Sequence, residues 1–192
     1  MTDAIHKISD FRASVFDANV ARTERFEIEI NFPPGINNTE ADRVVSIMCE
    51  ECNIPGIANS MKPHRINNWT FYRNTNMDYM GTEAVFTFIE RQEWDIRSRI
   101  EQWLSWNVNP ITKEVKFPND TEGQIAIHTL DMEDKVTANW YLYGATPKII
   151  NIQPLANNSP GVVRTTVTFS FNRWSSGVIT SVPGSGAGVE IP

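Results

Sequence analysis

The first clear pattern along the chain runs from Phe26, where Phe26-Glu27-Ile28-Glu29-Ile30-Asn31-Phe32 alternates apolar and polar positions without a break. A period of two puts Phe26, Ile28, Ile30 and Phe32 on one face of a half-buried strand and the carboxylates on the other. Pro33-Pro34-Gly35 stops it, and a polar loop leads to Arg43–Glu51. There Val45, Ile47 and Cys49 alternate with Val44, Ser46 and Met48, which predicts a second strand. Glu83–Glu90 sets Val85, Thr87 and Ile89 against Ala84, Phe86 and Phe88. Both faces are largely apolar, as expected of a central strand covered on both sides. Gln124–Leu130, Ala138–Tyr143, Lys148–Gln153 and Val163–Trp174 read as further strands, the last with Val163, Thr165, Val167, Phe169 and Phe171 on one face.

One segment has helical periodicity. In Glu93–Trp106, residues Ile96, Ile100, Trp103 and Leu104 recur at helical spacing, with acidic residues in the first turn and Arg97, Arg99 and Gln102 turned outward. Asn107, Asn109 and Pro110 mark its end. About seven strands to one helix, with no strand–helix alternation, predict a mainly β (α+β) domain. The expected architecture is an antiparallel β-barrel or sandwich with one flanking α-helix.

Between these elements, the stretch from Asn53 to Gly81 is rich in Pro, Gly and Asn and holds Lys62, His64, Arg65 and Arg73. It exceeds the 12 to 15 residues or so beyond which loops are usually functional, and Trp69–Tyr72 can supply a strand. It therefore reads as a projecting arm or hairpin over 57–81. The organisation expected is an N-terminal arm (1–25), a β domain (26–176) and a flexible Gly/Ser-rich tail (177–192).

Composition narrows the classes. With 192 residues, 41% hydrophobic, six Trp and ten Phe, the chain can bury one sizeable core. Its net charge of -6 opposes a tight, non-specific grip on phosphate backbone. No window reaches the roughly 18 apolar residues of a spanning helix, and Met1–Asp10 lacks the apolar core of a signal peptide. A soluble protein without a secretion address or stable membrane association is expected. Cys49 and Cys52 are the only cysteines, so no disulfide framework exists and a reducing compartment is the natural setting.

Candidate chemistry is sparse. Cys49-Glu50-Glu51-Cys52 places its thiols on opposite faces of a strand, with no second Cys or His pair at zinc-site spacing and no helix at the first cysteine for redox work. His6, His64 and His128 form no H-x-x-x-H pair, and Ser175-Ser176-Gly177 is no nucleophile elbow. Gly184, Gly186 and Gly188 precede no helix that would complete a phosphate cradle. Glu90, Glu93 and Asp95 can be posed as a hydrolytic carboxylate cluster or, more plainly, as complements to a helix N-terminus. No cofactor or metal is expected. His64, Arg65, Trp69, Tyr72 and Arg73 suit either stacking on single-stranded nucleic acid or anchoring a subunit contact, and the acidic balance favours the contact.

The order of features resembles the tail tube protein of contractile-tailed bacteriophages, similar also to the ring-forming tube protein of type VI secretion systems. The resemblance rests on the strand Phe26–Phe32, the strand ending at Cys49 before Ile54-Pro55-Gly56, the long polar arm and the strand Ala84–Ile89. It continues through the helix with Arg97 and Trp103, the run Trp140-Tyr141-Leu142-Tyr143-Gly144-Ala145-Thr146-Pro147 and the final strand ending Phe169-Ser170-Phe171-Asn172-Arg173-Trp174. It implies a non-enzymatic virion subunit whose six copies form a ring, rings stacking into an inner tail tube through which DNA passes when the sheath contracts. The arm would carry inter-subunit contacts through Lys62, His64, Arg65, Trp69, Tyr72, Arg73 and Tyr79. Implied partners are further copies, the sheath, a baseplate initiator, a tape-measure protein and DNA in transit. Assembly would take place in the host cytoplasm, and an acidic lumen would repel the DNA backbone. Extra residues over Asn107–Gly123 and in the glycine-rich end leave a tube initiator or terminator as an alternative to the repeating subunit, beside a type VI-like tube protein, a small-ligand β-barrel and a hydrolase.

Overall fold

A computed structural model describes residues 21–36, 39–151 and 161–177, together with Ile8, Arg12 and Leu155. Most of the expected N-terminal arm and all but the first residue of the glycine-rich tail, including His6, lie outside them. In chain order the elements are β1 (Phe26–Asn31), α1 (Thr39–Ile47), β2 (Cys49–Cys52), β3 (Gly56–Ile66), β4 (Trp69–Met80), β5 (Glu83–Ile89) and α2 (Asp95–Asn107). There follow α3 (Pro118–Thr121), β6 (Gly123–Leu130), β7 (Val136–Ile150), β8 (Arg164–Ser170) and β9 (Arg173–Ser176).

Every strand pairing is antiparallel, and β7 is the hinge of the sheet. Its first half lies between β6, which carries β1 on its far side, and β9. Its second half pairs with β8, which leads on to β5 and β2. The two leaves and α2 share one buried cluster. Ile28, Ile30, Ile125, Ile127 and Leu142 come from one leaf, Phe86, Phe88, Val167 and Phe169 from the other, and Ile96, Ile100 and Trp103 from the helix. Trp103 sits at the junction, its ring 4.9 Å from Phe32 and 5.8 Å from Phe169, while its Nε1 donates to Thr121 O at 2.8 Å. Burial of each such side chain contributes about 1.5–3 kcal/mol. The arrangement is a mainly β, sandwich-like fold, with the sheet bent rather than closed.

The bend differs from the sequence expectation in an informative way. The two strands expected around Tyr143 and Lys148 are one strand, and the single strand expected over Val163–Trp174 is two. Both changes occur at one corner. Gly144 adopts φ 64, and a Cβ there would overlap the Asn172 amide and lie 2.9 Å from Glu122 Oε2. Asn172 N donates to Tyr143 O at 3.0 Å, and its Nδ2 to Glu122 Oε1 at 2.9 Å. The buried phase slips by one residue in both strands here, from Leu142 to Ala145 and from Phe171 to Trp174, inside runs apolar enough to pass for unbroken strands.

Arg43–Glu51 departs further: α1 replaces most of the expected strand. Its β-branched Val44, Val45 and Ile47 favour a strand locally, but burial follows a helical period, with Asp42 and Val45 inside and Ile47 exposed. Glu40 and Asp42 occupy the first turn, where the helix dipole favours acid. Ser46 Oγ donates to Asp42 O at 3.1 Å and accepts from Ile30 N at 3.1 Å, so α1 covers the edge of β1. The same helix explains why Arg99 is not turned outward. Arg99 is buried, its Nε donating to Asp42 Oδ1 at 2.9 Å and its Nη2 to both Asp42 Oδ1 and Ile36 O. Its guanidinium lies 4.7 Å from the Phe32 ring centroid.

β5 is flanked by β2 and β8 as an internal strand, but only one of its faces is fully covered. Ala84, Phe86 and Phe88 are buried, whereas Val85, Thr87 and Ile89 are half-buried. α2 starts at Asp95, after Trp94 at φ 55.

Candidate functional site

The segment between β2 and β5 folds into a two-stranded sheet of its own, β3 with β4, separate from the main sheet. Ile66 pairs with Trp69 across a turn in which Asn67 takes φ 53, a conformation asparagine tolerates. Side chains directly opposite share a face. One face at the turn end therefore carries Ile66 and Trp69, then His64 and Phe71, then Lys62 and Arg73. The other carries Arg65 and Thr70, then Pro63 and Tyr72. Trp69 is 73% exposed, and Phe71, Tyr72, Ile66 and Met61 are exposed too. Such aromatics on a two-sided, solvated hairpin bury nothing for the core and have the composition of interface anchors.

Lys62 and Arg73 stand directly opposite each other, and neither has an acidic partner among the described residues. Like charges in that position destabilise a strand pair by roughly 0.2–1 kcal/mol. From Met61 to Arg73 there is no acidic residue at all. Of the seven residues proposed as contacts, Lys62, His64, Trp69 and Arg73 share one face, and Arg65 and Tyr72 lie on the other. Tyr79 pairs through its backbone with Ile57 near the base, and its side chain is outside the described residues. Phe71 and Ile66, which complete the apolar end, were not singled out by sequence; their register with His64 and Trp69 is the signal.

A second exposed apolar surface lies beyond α2. Asn109 Oδ1 accepts from Ile111 N at 2.9 Å and Thr112 N at 3.1 Å, and Val108 bridges Val115. This turn holds out Ile111, Val115 and Phe117, which are 89%, 70% and 80% exposed. A groove of about 300 Å³ runs between Pro34, Gly35, Trp106, Val115 and Phe117, bordered by Glu114, Lys116 and Asp120. Trp106 is fixed there by Nε1 donating to Asp120 O at 3.0 Å, with Lys116 over its ring. Gly35 gives the ring room, since a Cβ at that position would fall within it.

Of the carboxylates weighed for catalysis, Glu90 and Asp95 make structural contacts. Glu90 Oε1 accepts from Ile96 N at 3.2 Å and Arg97 N at 3.3 Å, capping α2, and Thr165 Oγ1 donates to Glu90 Oε2 at 2.6 Å. Asp95 pairs with Arg91 at 2.9 Å, and Glu93 is exposed. His128 Nδ1 is 2.9 Å from Asn139 Oδ1, and Ser175 Oγ donates to Tyr143 Oη at 3.3 Å. Cys49 and Cys52 are half-buried against the core, and burial pushes both thiols up, Cys52 to about 11. Among the described residues no group of three or more His, Cys, Asp or Glu could hold a metal ion. None of their helices is long and apolar enough to cross a membrane.

No curated protein sequence matches the chain. Solved structures share its fold at low identity. A chain of the anti-feeding prophage baseplate superposes with a TM-score of 0.62 at 13% identity, covering 83% of this chain and 96% of that one. A chain of the sheath–tube complex of the extracellular contractile injection system PVC, in its extended state, gives 0.59 at 12%, covering 89% and 97%. A chain of the tube-terminating cap of the anti-feeding prophage gives 0.58 at 10%, covering 83% and 91%. A sequence model described as phage tail tube protein matches residues 21–177, the whole of the β fold with its hairpin and groove, and the chain belongs to that family.

Proposed function

We propose that this structural tail tube subunit is the repeating unit of a contractile tail's inner tube, closing in sixes into rings that stack. The observation that carries the reading is the β3–β4 hairpin. It displays aromatic anchors and an unopposed Lys62–Arg73 pair that cost the monomer stability and gain partners only in an assembly. Lys62, His64, Arg65, Trp69, Tyr72, Arg73 and Tyr79 are the proposed inter-subunit residues, with the hairpin acting as the arm and the terminal segments adding contacts.

The tube is a conduit and carries out no catalysis. Its further partners are the sheath outside, a baseplate initiator at one end, and a tape-measure protein and then DNA within. Assembly takes place in the host cytoplasm. Glu27 and Glu29 stay exposed on the outer face of β1. Such carboxylates on the channel wall would repel passing phosphates and prevent sticking. Negative-stain electron microscopy of the concentrated protein, with light scattering for mass, tests the proposal. Sixfold rings or hollow tubes are expected; particles that remain monomeric at every concentration, even with the tail's initiator supplied, would refute it.

A further inference from the structure

We propose that the groove at the C-terminal end of α2 receives the hairpin tip of a second copy of this chain. Trp69 and Phe71 of one copy cover Trp106, Val115 and Phe117 of the other, while Lys62 and Arg73 approach Glu114 and Asp120. The inference rests on the tube reading and deepens it by naming the acceptor surface.

Three observations lead there. The first is shape and polarity: the tip presents Ile66, Trp69 and Phe71 on one face, and the groove offers an apolar wall of Pro34, Trp106, Val115 and Phe117. At about 300 Å³ the groove lies at the small end of ligand pockets and suits one large aromatic side chain rather than a folded partner's whole face. The second is charge. The tip is purely basic in a chain of net charge -6, whereas the groove is bordered by Glu114 and Asp120. α2 also has no basic residue in its last turn, so its negative end faces this region. The one cation on the groove, Lys116, lies over Trp106 and keeps its charge, but with Glu114 and Asp120 both in the lining two carboxylates against one ammonium leave the groove net negative. The third is topology. A knob and a hole on different parts of one chain make a head-to-tail contact, which propagates from copy to copy until the rotation closes or continues as a stack.

The energetics suit repetition. Aromatics bury on the order of 150–250 Å² each, so Trp69 and Phe71 together stay below the roughly 800 Å² per partner of a stable pairwise interface. One such contact is weak, and a ring of them acting on the same two surfaces is not.

The test is cysteine cross-linking in the full chain, with Asn68→Cys combined with Glu114→Cys. A covalent ladder beyond the dimer is expected on oxidation and should collapse on reduction, while each single variant stops at dimer. Asn68→Cys combined with Lys135→Cys, on the β6–β7 turn, serves as the control. No ladder from the first pair, or an equal ladder from the control, overturns the inference. A second measurement does not depend on disulfide geometry. Trp69→Ser and Phe117→Ser should each raise the protein concentration at half-assembly about tenfold, and the double variant no further than either alone. Additive effects place the two side chains in separate contacts and overturn the inference. If wild-type rings or tubes form while both tests fail, only the acceptor surface is wrong; if no assembly forms at all, the tube reading falls and takes this one with it.

Discussion

Replacing Arg99 by methionine removes a guanidinium that joins three parts of the fold. Its Nε and Nη2 donate to Asp42 on α1, Nη2 also donates to Ile36 O in the loop after β1, and Nη1 donates to Gln102 Oε1 at 2.7 Å on its own helix. The pair is buried, with side-chain exposures of 7% for Arg99 and 12% for Asp42. Methionine keeps much of the stem's packing volume, so the change isolates the charge. What remains is a desolvated carboxylate that has lost the guanidinium paired with it, for which about 3–5 kcal/mol of destabilisation is expected. Against a typical domain stability of about 5–15 kcal/mol this is a large fraction. At roughly 2–4 °C per kcal/mol for a domain of this size, the melting temperature should fall by about 6–20 °C.

Urea unfolding followed by tryptophan fluorescence gives the measurement, since Trp103 and Trp174 are buried and the midpoint should move at constant slope. The companion is Arg99→Met with Asp42→Leu, which removes both charges. It should recover much of the loss, leaving about 1–3 kcal/mol for the Ile36 carbonyl deprived of its donor. A single variant costing less than about 1 kcal/mol, or a double variant at the sum of the two singles, would refute the claim that this pair fastens α1 to α2.

Three further outcomes follow from the same structure. Cys52, its thiol raised to about 11 from an ordinary 9.0, should react with a thiol reagent at pH 8 about 100-fold more slowly than a free cysteine, and denaturant should abolish the difference. Gly144→Ala, forced to φ 64 against Asn172, should lower stability by about 2 kcal/mol or more in urea melts, whereas an unchanged midpoint would show that the corner relaxes. Glu90→Ala removes the acceptor for Ile96 N and Arg97 N and for the Thr165 hydroxyl, so thermal unfolding should report a loss of about 2–3 kcal/mol. Glu90→Gln, which keeps an acceptor, should lose less.

What the sequence disclosed depended on whether one period served one environment. β1 and the packing face of α2 were legible because Phe26–Phe32 and Ile96, Ile100 and Trp103 each bury a single face against one partner. The strand-like run at α1 misled because its deciding contacts, Asp42 with Arg99 and Ser46 with Ile30, connect residues 57 and 16 positions apart. No local propensity contains them. The corner at Gly144 and Asn172 went unread for a different reason, since its one-residue slip of phase, from Leu142 to Ala145 and from Phe171 to Trp174, lies inside runs apolar enough to read as single strands. For the candidate interface, aromatic and basic residues in an Asn- and Pro-rich stretch were visible as composition, but the division of Lys62, His64, Trp69 and Arg73 from Arg65 and Tyr72 needed the register. The groove was hidden because Pro34, Trp106 and Phe117 meet only after α2 has packed.

The division of labour between core and hairpin bears on how such a chain could assemble. The core holds Trp103, Phe86 and Phe169 fully buried and caps its main helix through Glu90, so its order needs no second copy. The hairpin has none of these supports. Two strands alone are marginal in water, and the Lys62–Arg73 juxtaposition weakens them further. A docking surface would therefore impose order on the hairpin as well as bind it, and that ordering cost comes out of the first contact's affinity. Subsequent contacts would meet subunits already held in place, so a nucleating partner gains far more by presenting one ordered acceptor groove than by adding attraction at large. On the proposed docking, the hairpin's poor intrinsic stability would control when the tube grows.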